Sequence, residues 1–170
     1  MKSLVGRGNI TIFLEIKFGE EDDSNFDSKL IHIELNGAEG RHLQFEVMCT
    51  GEVDGISYAK TVFLEVDTED NSLYPGLCGG ARNDGLDTQL PGFTIGKKDE
   101  HSMSPGLVHN FWDDFPTKFF ISASEVRYSQ VDTTLGNVVF GMEDVLIARS
   151  KAKEKGAGFL QIDDCGIVIS

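Results

Sequence analysis

Short runs of β-branched and aromatic residues, separated by polar or glycine-rich stretches, are what most constrain the fold of this chain. Thr117–Gly141 reads TKFFISASEVRYSQVDTTLGNVVFG: a buried-looking strand opens it, another closes it, and a polar loop lies between. Ile10 to Phe18 alternates like a half-buried strand, and so does LIHIEL from Leu30 to Leu35. Such period-2 alternation is the signature of β structure, and the two runs should pair as a long hairpin. Thr61 to Val66 (TVFLEV), Leu107 to Phe111, Lys118 to Ala123 and Asn137 to Phe140 read as further strands, as do Phe159 to Ile162 and Gly166 to Ile169. Short strands also fit near Leu73 to Cys78 and Gly92 to Ile95, inside a segment from Asp67 to about Lys98 that is otherwise turn-rich in glycine and holds Pro75 and Pro91.

Two stretches have helical spacing instead. In Arg41 to Cys49 (RHLQFEVMC), Leu43 and Val47, and Phe45 and Met48, recur at intervals of three and four, and Gly51 stands where a helix would stop. Met142 to Lys155 carries Asp144 in its first turn, Lys151, Lys153 and Lys155 towards its end, and Gly156 beyond, which suits the helix dipole. About eight strands and two helices without β-α-β alternation predict a mainly β fold. The expected architecture is a closed antiparallel barrel with helices over its open ends, built as one domain spanning residues 1–170.

Composition narrows the function classes. A chain of 170 residues buries roughly 70% of its unfolded surface, enough for its own core. The net charge of −13 disfavours nucleic-acid backbones and anionic lipid, so neither is an expected partner. Three widely spaced cysteines, Cys49, Cys78 and Cys165, form no C-x-x-C zinc pattern and no disulfide framework; reduced thiols in the cytoplasm, or in the nucleus, are the expectation. The N-terminal stretch has no apolar run with a cleavage site, and nothing approaches the roughly 20 apolar residues of a spanning helix.

Several segments resemble the cyclophilin family of peptidyl-prolyl isomerases. FEVMCTGE (Phe45 to Glu52) looks like the end of that family's first helix, and VFLEV like its F-H-R-V strand. HSMSPGLV from His101 resembles H-x-G-P-G-L-L, TKFFIS resembles S-Q-F-F-I-T, and LGNVVFG resembles D-G-K-H-V-V-F-G. EDVLIARS resembles the start of the second helix, and QIDDCG the I-x-D-C-G ending. The seven fall in the family's order; residues 67 to 99 align poorly. The resemblance implies an eight-stranded antiparallel β-barrel capped by two α-helices, and an activity that speeds cis/trans exchange before proline. That bond has a barrier of about 18–20 kcal/mol because amide resonance must be broken. The family lowers it with an arginine that donates to the proline nitrogen, beside an apolar pocket for the proline ring.

Carried over, the resemblance implies a peptide groove formed by Phe63, Glu65, Cys78, Phe111, Trp112, Lys118, Phe120 and Asn137. Glu65 stands at the arginine position. A carboxylate only accepts hydrogen bonds, so it opposes the transition state that a donor would stabilise. Cys78 replaces a glutamine, Lys118 another, Asn137 a histidine, and Phe111-Trp112 an alanine-asparagine pair that would hold the peptide. The family's tryptophan falls near Asp132. Losing one preorganised donor commonly costs roughly 10²–10³ in rate, so no residue is assigned as catalytic and isomerase activity is expected to be weak or lost. Weak or no binding of cyclosporin-type ligands follows from the altered walls.

Other constellations carry less. His32, His42, His101 and His109 include no pair at the i, i+4 spacing of a helical zinc site, and no metal or cofactor is expected. The acids in GEEDDSNFDS (19–28) lack the spacing and central glycine of a calcium loop and read as a solvated turn. Cys78 has no visible base beside it, and PGLCGG and RNDG (Arg82 to Gly85) read as turns without the pattern of a phosphate loop. The expectation is therefore a monomeric, divergent cyclophilin-like protein that binds a proline-containing peptide or protein segment. The alternatives are an active isomerase with a rearranged donor and a scaffold in a protein complex.

Overall fold

The structure, a computed structural model, describes residues 9–18, 27–36, 41–66, 76–86, 90, 99–110, 117–124, 126–131 and 133–169. Strand β1 (Ile10–Phe18) buries Ile12, Leu14, Ile16 and Phe18 on one face, as its alternation dictates. It pairs antiparallel with β2 (Asp27–Leu35) from Ile10↔Leu35 to Phe18↔Asp27. Strand β2 thus begins three residues before the expected Leu30. Asp27, Ser28 and Lys29 show no apolar alternation, and their pairing with β1 alone makes them strand. Helix α1 (Arg41–Thr50) ends where Gly51, at φ +71°, enters the left-handed region and donates to the Val47 carbonyl at 2.9 Å.

The expected strand 61–66 is broken into β3 (Thr61–Val62) and β4 (Glu65–Val66), and the break helps close the barrel. On one side the Phe63 N–H donates to Leu160, in β11 (Leu160–Ile167); on the other the Leu64 N–H donates to Cys78, in β5 (Gly76–Gly79), both at 2.9 Å. With β7 (Leu107–Asn110), β8 (Phe119–Ser122) and β10 (Thr133–Phe140), the sheet order is β3-β11-β1-β2-β10-β7-β8-β5-β4. Counting β3 and β4 as halves of one strand, eight antiparallel positions surround a nearly closed barrel. This is the fold the sequence pattern predicts. Helix α2 (Met142–Lys155) runs over the predicted residues and turns Val145, Ala148 and Ala152 inward.

Four strand expectations need correction. The polar stretch between Ala123 and Asn137 is not all loop: β9 (Val126–Val131) pairs with β6 (Asp99–Met103) as a separate ribbon. The last two expected strands are one strand, β11, whose acidic Asp163-Asp164 is carried through by pairing with β1 and a bulge. Strand β10 begins at Thr133 rather than Asn137, with Gly136 packed so tightly on β2 that a Cβ there would lie 2.1 Å from the Glu34 carbonyl oxygen. GLCG, read both as part of a PGLCGG turn and within a short strand near Leu73 to Cys78, is the strand β5. The expected strand 92–95 and the acidic connection 19–26 lie outside the described residues.

The core is one cluster in which aromatic rings meet edge-on. Phe119 packs against Phe45 and Tyr58 at centroid distances of 5.1 and 5.2 Å, and against Phe63 at 6.3 Å. Among the described residues no helix is long and apolar enough to cross a membrane.

Candidate functional site

Four adjacent hydrogen-bonded strands place the key positions side by side. Glu65 of β4 pairs with Cys78 of β5, Cys78 pairs with Phe120 of β8, and Phe120 pairs with His109 of β7. Cys78, Phe120 and His109, directly paired in turn, share a face of the sheet. On β8, Phe119 and Ile121 belong to the core, so Phe120 faces the other way, onto the outer wall of the barrel. Yet Phe120 is only 7% exposed, Cys78 9% and His109 0%, so these outward-facing side chains lie in a recess. Gly76 makes room for it: a Cβ there would come within 2.7 Å of the Phe120 ring. The His109 ring tilts on Phe120 at a centroid distance of 5.2 Å.

His109 Nδ1–H donates to the Asn110 carbonyl at 3.1 Å, which assigns the tautomer by its partner. Burial pushes the pKa of His109 down to about 4, so the imidazole is neutral at pH 7. Phe120 stands between it and Cys78 in the register. That order does not make a thiol–imidazole nucleophile pair, which needs the two in hydrogen-bond reach.

Beside this row opens a hollow of ≈ 250 Å³, lined by Leu64, Gly80, Ala81, Arg82, Gly85, Leu86, Thr117 and Lys118. The segment 117–118 is held by three hydrogen bonds. Tyr58 O–H donates to the Thr117 carbonyl at 2.7 Å, Thr117 Oγ1 donates to the Gly80 carbonyl at 2.8 Å, and Asn110 Nδ2 donates to the Lys118 carbonyl at 2.6 Å. Gly80, at φ +109°, is required here, because a Cβ would lie 2.4 Å from the Thr117 carbonyl oxygen. Arg82 is 6% exposed and grips Asp84 with two bonds, Nε to Oδ1 at 2.9 Å and Nη2 to Oδ2 at 2.5 Å. This bidentate contact holds the Asp84 carboxyl below the usual carboxylate range.

Of the groove residues expected from sequence, Glu65, Cys78 and Phe120 come together in the row, and Lys118 lines the adjoining hollow. Phe63 instead packs in the core, 1% exposed, against Phe119. Asn137 pairs with Leu107 and Glu34, away from that row. Phe111 and Trp112 lie outside the described residues, as does Asp132. Sequence reading missed Arg82, Thr117 and Tyr58. RNDG does form a turn, but an Arg two residues before an Asp can fold back on it, and that spacing was the available signal. Among the described residues no group of three or more His, Cys, Asp or Glu is placed to hold a metal.

No model of a known protein family matches this chain, and a search of curated proteins finds no match.

Proposed function

We propose that this chain is a divergent cyclophilin-like protein that binds a proline-containing peptide or protein segment and has weak or no isomerase activity. The observation that carries the reading is the row Glu65–Cys78–Phe120 on adjacent strands of the outer wall, next to an open hollow. A recessed aromatic ring beside a hollow of this size suits an apolar ring such as proline, with Lys118 lining the hollow where a peptide backbone would run. The same row supplies poor catalytic groups. At Glu65 stands an acceptor where isomerisation needs a donor, and the Cys78 thiol is a weak donor whose bond to the Gly79 carbonyl spans 3.9 Å. Binding without efficient turnover follows, because uniform affinity for the peptide does not lower the rotation barrier.

Titration of the isotopically labelled protein with a short Ala-Pro peptide, followed by amide NMR, tests this. Saturable shifts centred on Cys78, Lys118 and Phe120 are expected. Phe120→Ala should weaken binding roughly tenfold, about 1.4 kcal/mol, while the rest of the spectrum stays dispersed. Shifts absent, or clustered on the opposite wall, would contradict the reading.

A further inference from the structure

An aromatic row crosses the half of the barrel wall that the candidate groove does not use. The groove row spans β7, β8, β5 and β4; the other run of the sheet order is β11-β1-β2-β10. Phe13 of β1 pairs with Gly166 of β11 on one side and with His32 of β2 on the other, and His32 pairs with Phe140 of β10. Ile12, Leu14, Ile31 and Ile33 are buried, so Phe13 and His32 between them point away from the core. The Phe13 ring reaches across Gly166, where a Cβ would lie 3.0 Å from it. The His32 and Phe140 rings meet at a centroid distance of 5.1 Å.

Folding alone gives no reason for Phe140 to stand here. Val138 packs on the core, so in an unbroken strand Phe140, two residues on, would face inward too. The register instead runs Val138↔Ile33 and then Phe140↔His32, leaving Val139 as an extra residue. This bulge re-aims Phe140 outward, and Val139 and Phe140 are left 56% and 57% exposed. Leu30, on the same face of β2 as His32, is 41% exposed. Apolar side chains gathered on a surface that their own chain does not cover mark a contact site.

Carboxylates border the row on both sides. Towards one end of the strands Glu15 of β1 pairs with Asp164 of β11; towards the other stands Glu34 of β2. The Ser28 hydroxyl donates to Glu15 at 2.6 Å, and Asn9 Nδ2 donates to Glu34 at 3.2 Å. Both donors are neutral, so they fix the carboxylates without cancelling their charge. Lys17 shares this face of β1, beyond Glu15, and leaves the row itself bordered by acids.

We propose that this wall is a docking surface for an extended, arginine-bearing segment of another protein. A guanidinium stacks flat on an exposed aromatic ring and forks onto a carboxylate, which a lysine ammonium does not do. Same-face positions on a strand lie about 7 Å apart, so one arginine on the ring row reaches Glu15 or Glu34 as well. Leu30 and Val139 suit an apolar residue between two arginines. The net charge of −13 draws such a segment in and opposes a second copy of this chain as the occupant. This surface is independent of the peptide-binding reading.

The test titrates a fluorescein-labelled peptide, Gly-Arg-Leu-Arg-Gly, with the full chain at low salt and follows its anisotropy. Saturable binding is expected, weakened roughly two- to fivefold by Phe140→Ala, by Glu34→Gln and by lysine in place of the peptide's arginines. Amide NMR shifts should centre on Phe13, His32 and Phe140, and Phe120→Ala should leave the affinity unchanged. The peptide holds no proline, so failure here leaves the groove reading standing, and failure of the Ala-Pro titration leaves this one standing. Urea midpoints near wild type should show that both surface variants fold; were Phe140→Ala to unfold, Glu34→Gln decides. Absence of saturable binding, equal affinity in the folded variants, shifts centred on Cys78 and Phe120, or a dimer in sedimentation that Phe140→Ala disperses would overturn the proposal.

Discussion

His109 lies fully buried against Phe120, and its environment makes a charge there costly. Its pKa is about 4 in the folded chain against 6.5 for an ordinary histidine. Between those values the unfolded chain binds the extra proton, so stability rises with pH across that window and is lost as pH falls through it. The difference is worth roughly 3 kcal/mol at the one-unit equivalence of 1.36 kcal/mol. Urea unfolding of wild type between pH 4 and 7 should show this slope, and His109→Gln should flatten it. Equal slopes in both proteins would remove His109 as the cause. Nothing in the sequence places His109 beside Phe120. That adjacency exists only through the β7–β8 register, which no local pattern encodes.

At the scale of elements, the loop between β5 and the hollow depends on backbone approach. Gly79 and Gly80 leave room for different neighbours: a Cβ at Gly79 would lie 2.8 Å from the Phe119 ring and 3.2 Å from that of Phe63, and one at Gly80 would strike the Thr117–Lys118 backbone. Gly80→Ala should therefore destabilise by about 2–3 kcal/mol in chemical denaturation, combining left-handed strain with a backbone clash. Gly85→Ala, also at positive φ but with nothing within 4 Å, should cost only about 1 kcal/mol. Similar costs for both would mean that close approach is not what requires Gly80. The strongly patterned elements, β1 and α2, were readable from their own residues, and α2 falls on the predicted span. The β6–β9 ribbon and the first residues of β2 and β10 were not. Their residues are mostly polar, and pairing with a partner strand supplies what propensity does not. Within the site, the strand that carries Phe120 was legible, but the inward turn of Phe63 and the Arg82–Asp84 grip depend on tertiary packing.

For the whole molecule, the barrel and the charge act on different properties. Closure relies on the chain changing neighbours at Phe63–Leu64, with the Phe63 ring as the anchor in the core. Phe63→Ala should cost about 3–5 kcal/mol of stability, read as a lower denaturant midpoint with unchanged slope. The net charge of −13 makes the field around the barrel attractive to cations. A proline peptide flanked by lysines should therefore associate faster than one flanked by glutamates at low salt, and the gap should narrow towards 0.15 M, where screening acts over roughly 8 Å. Equal rates at low salt would show that the field does not steer binding. The central claim, binding without catalysis, is tested most directly by a protease-coupled isomerase assay on an Ala-Pro peptide that the protein binds. The account predicts a rate at the uncatalysed background, with Glu65→Arg raising it measurably by restoring a donor at that strand position. A wild-type rate within about tenfold of an efficient prolyl isomerase would contradict it, since loss of a single such donor already costs roughly 10²–10³.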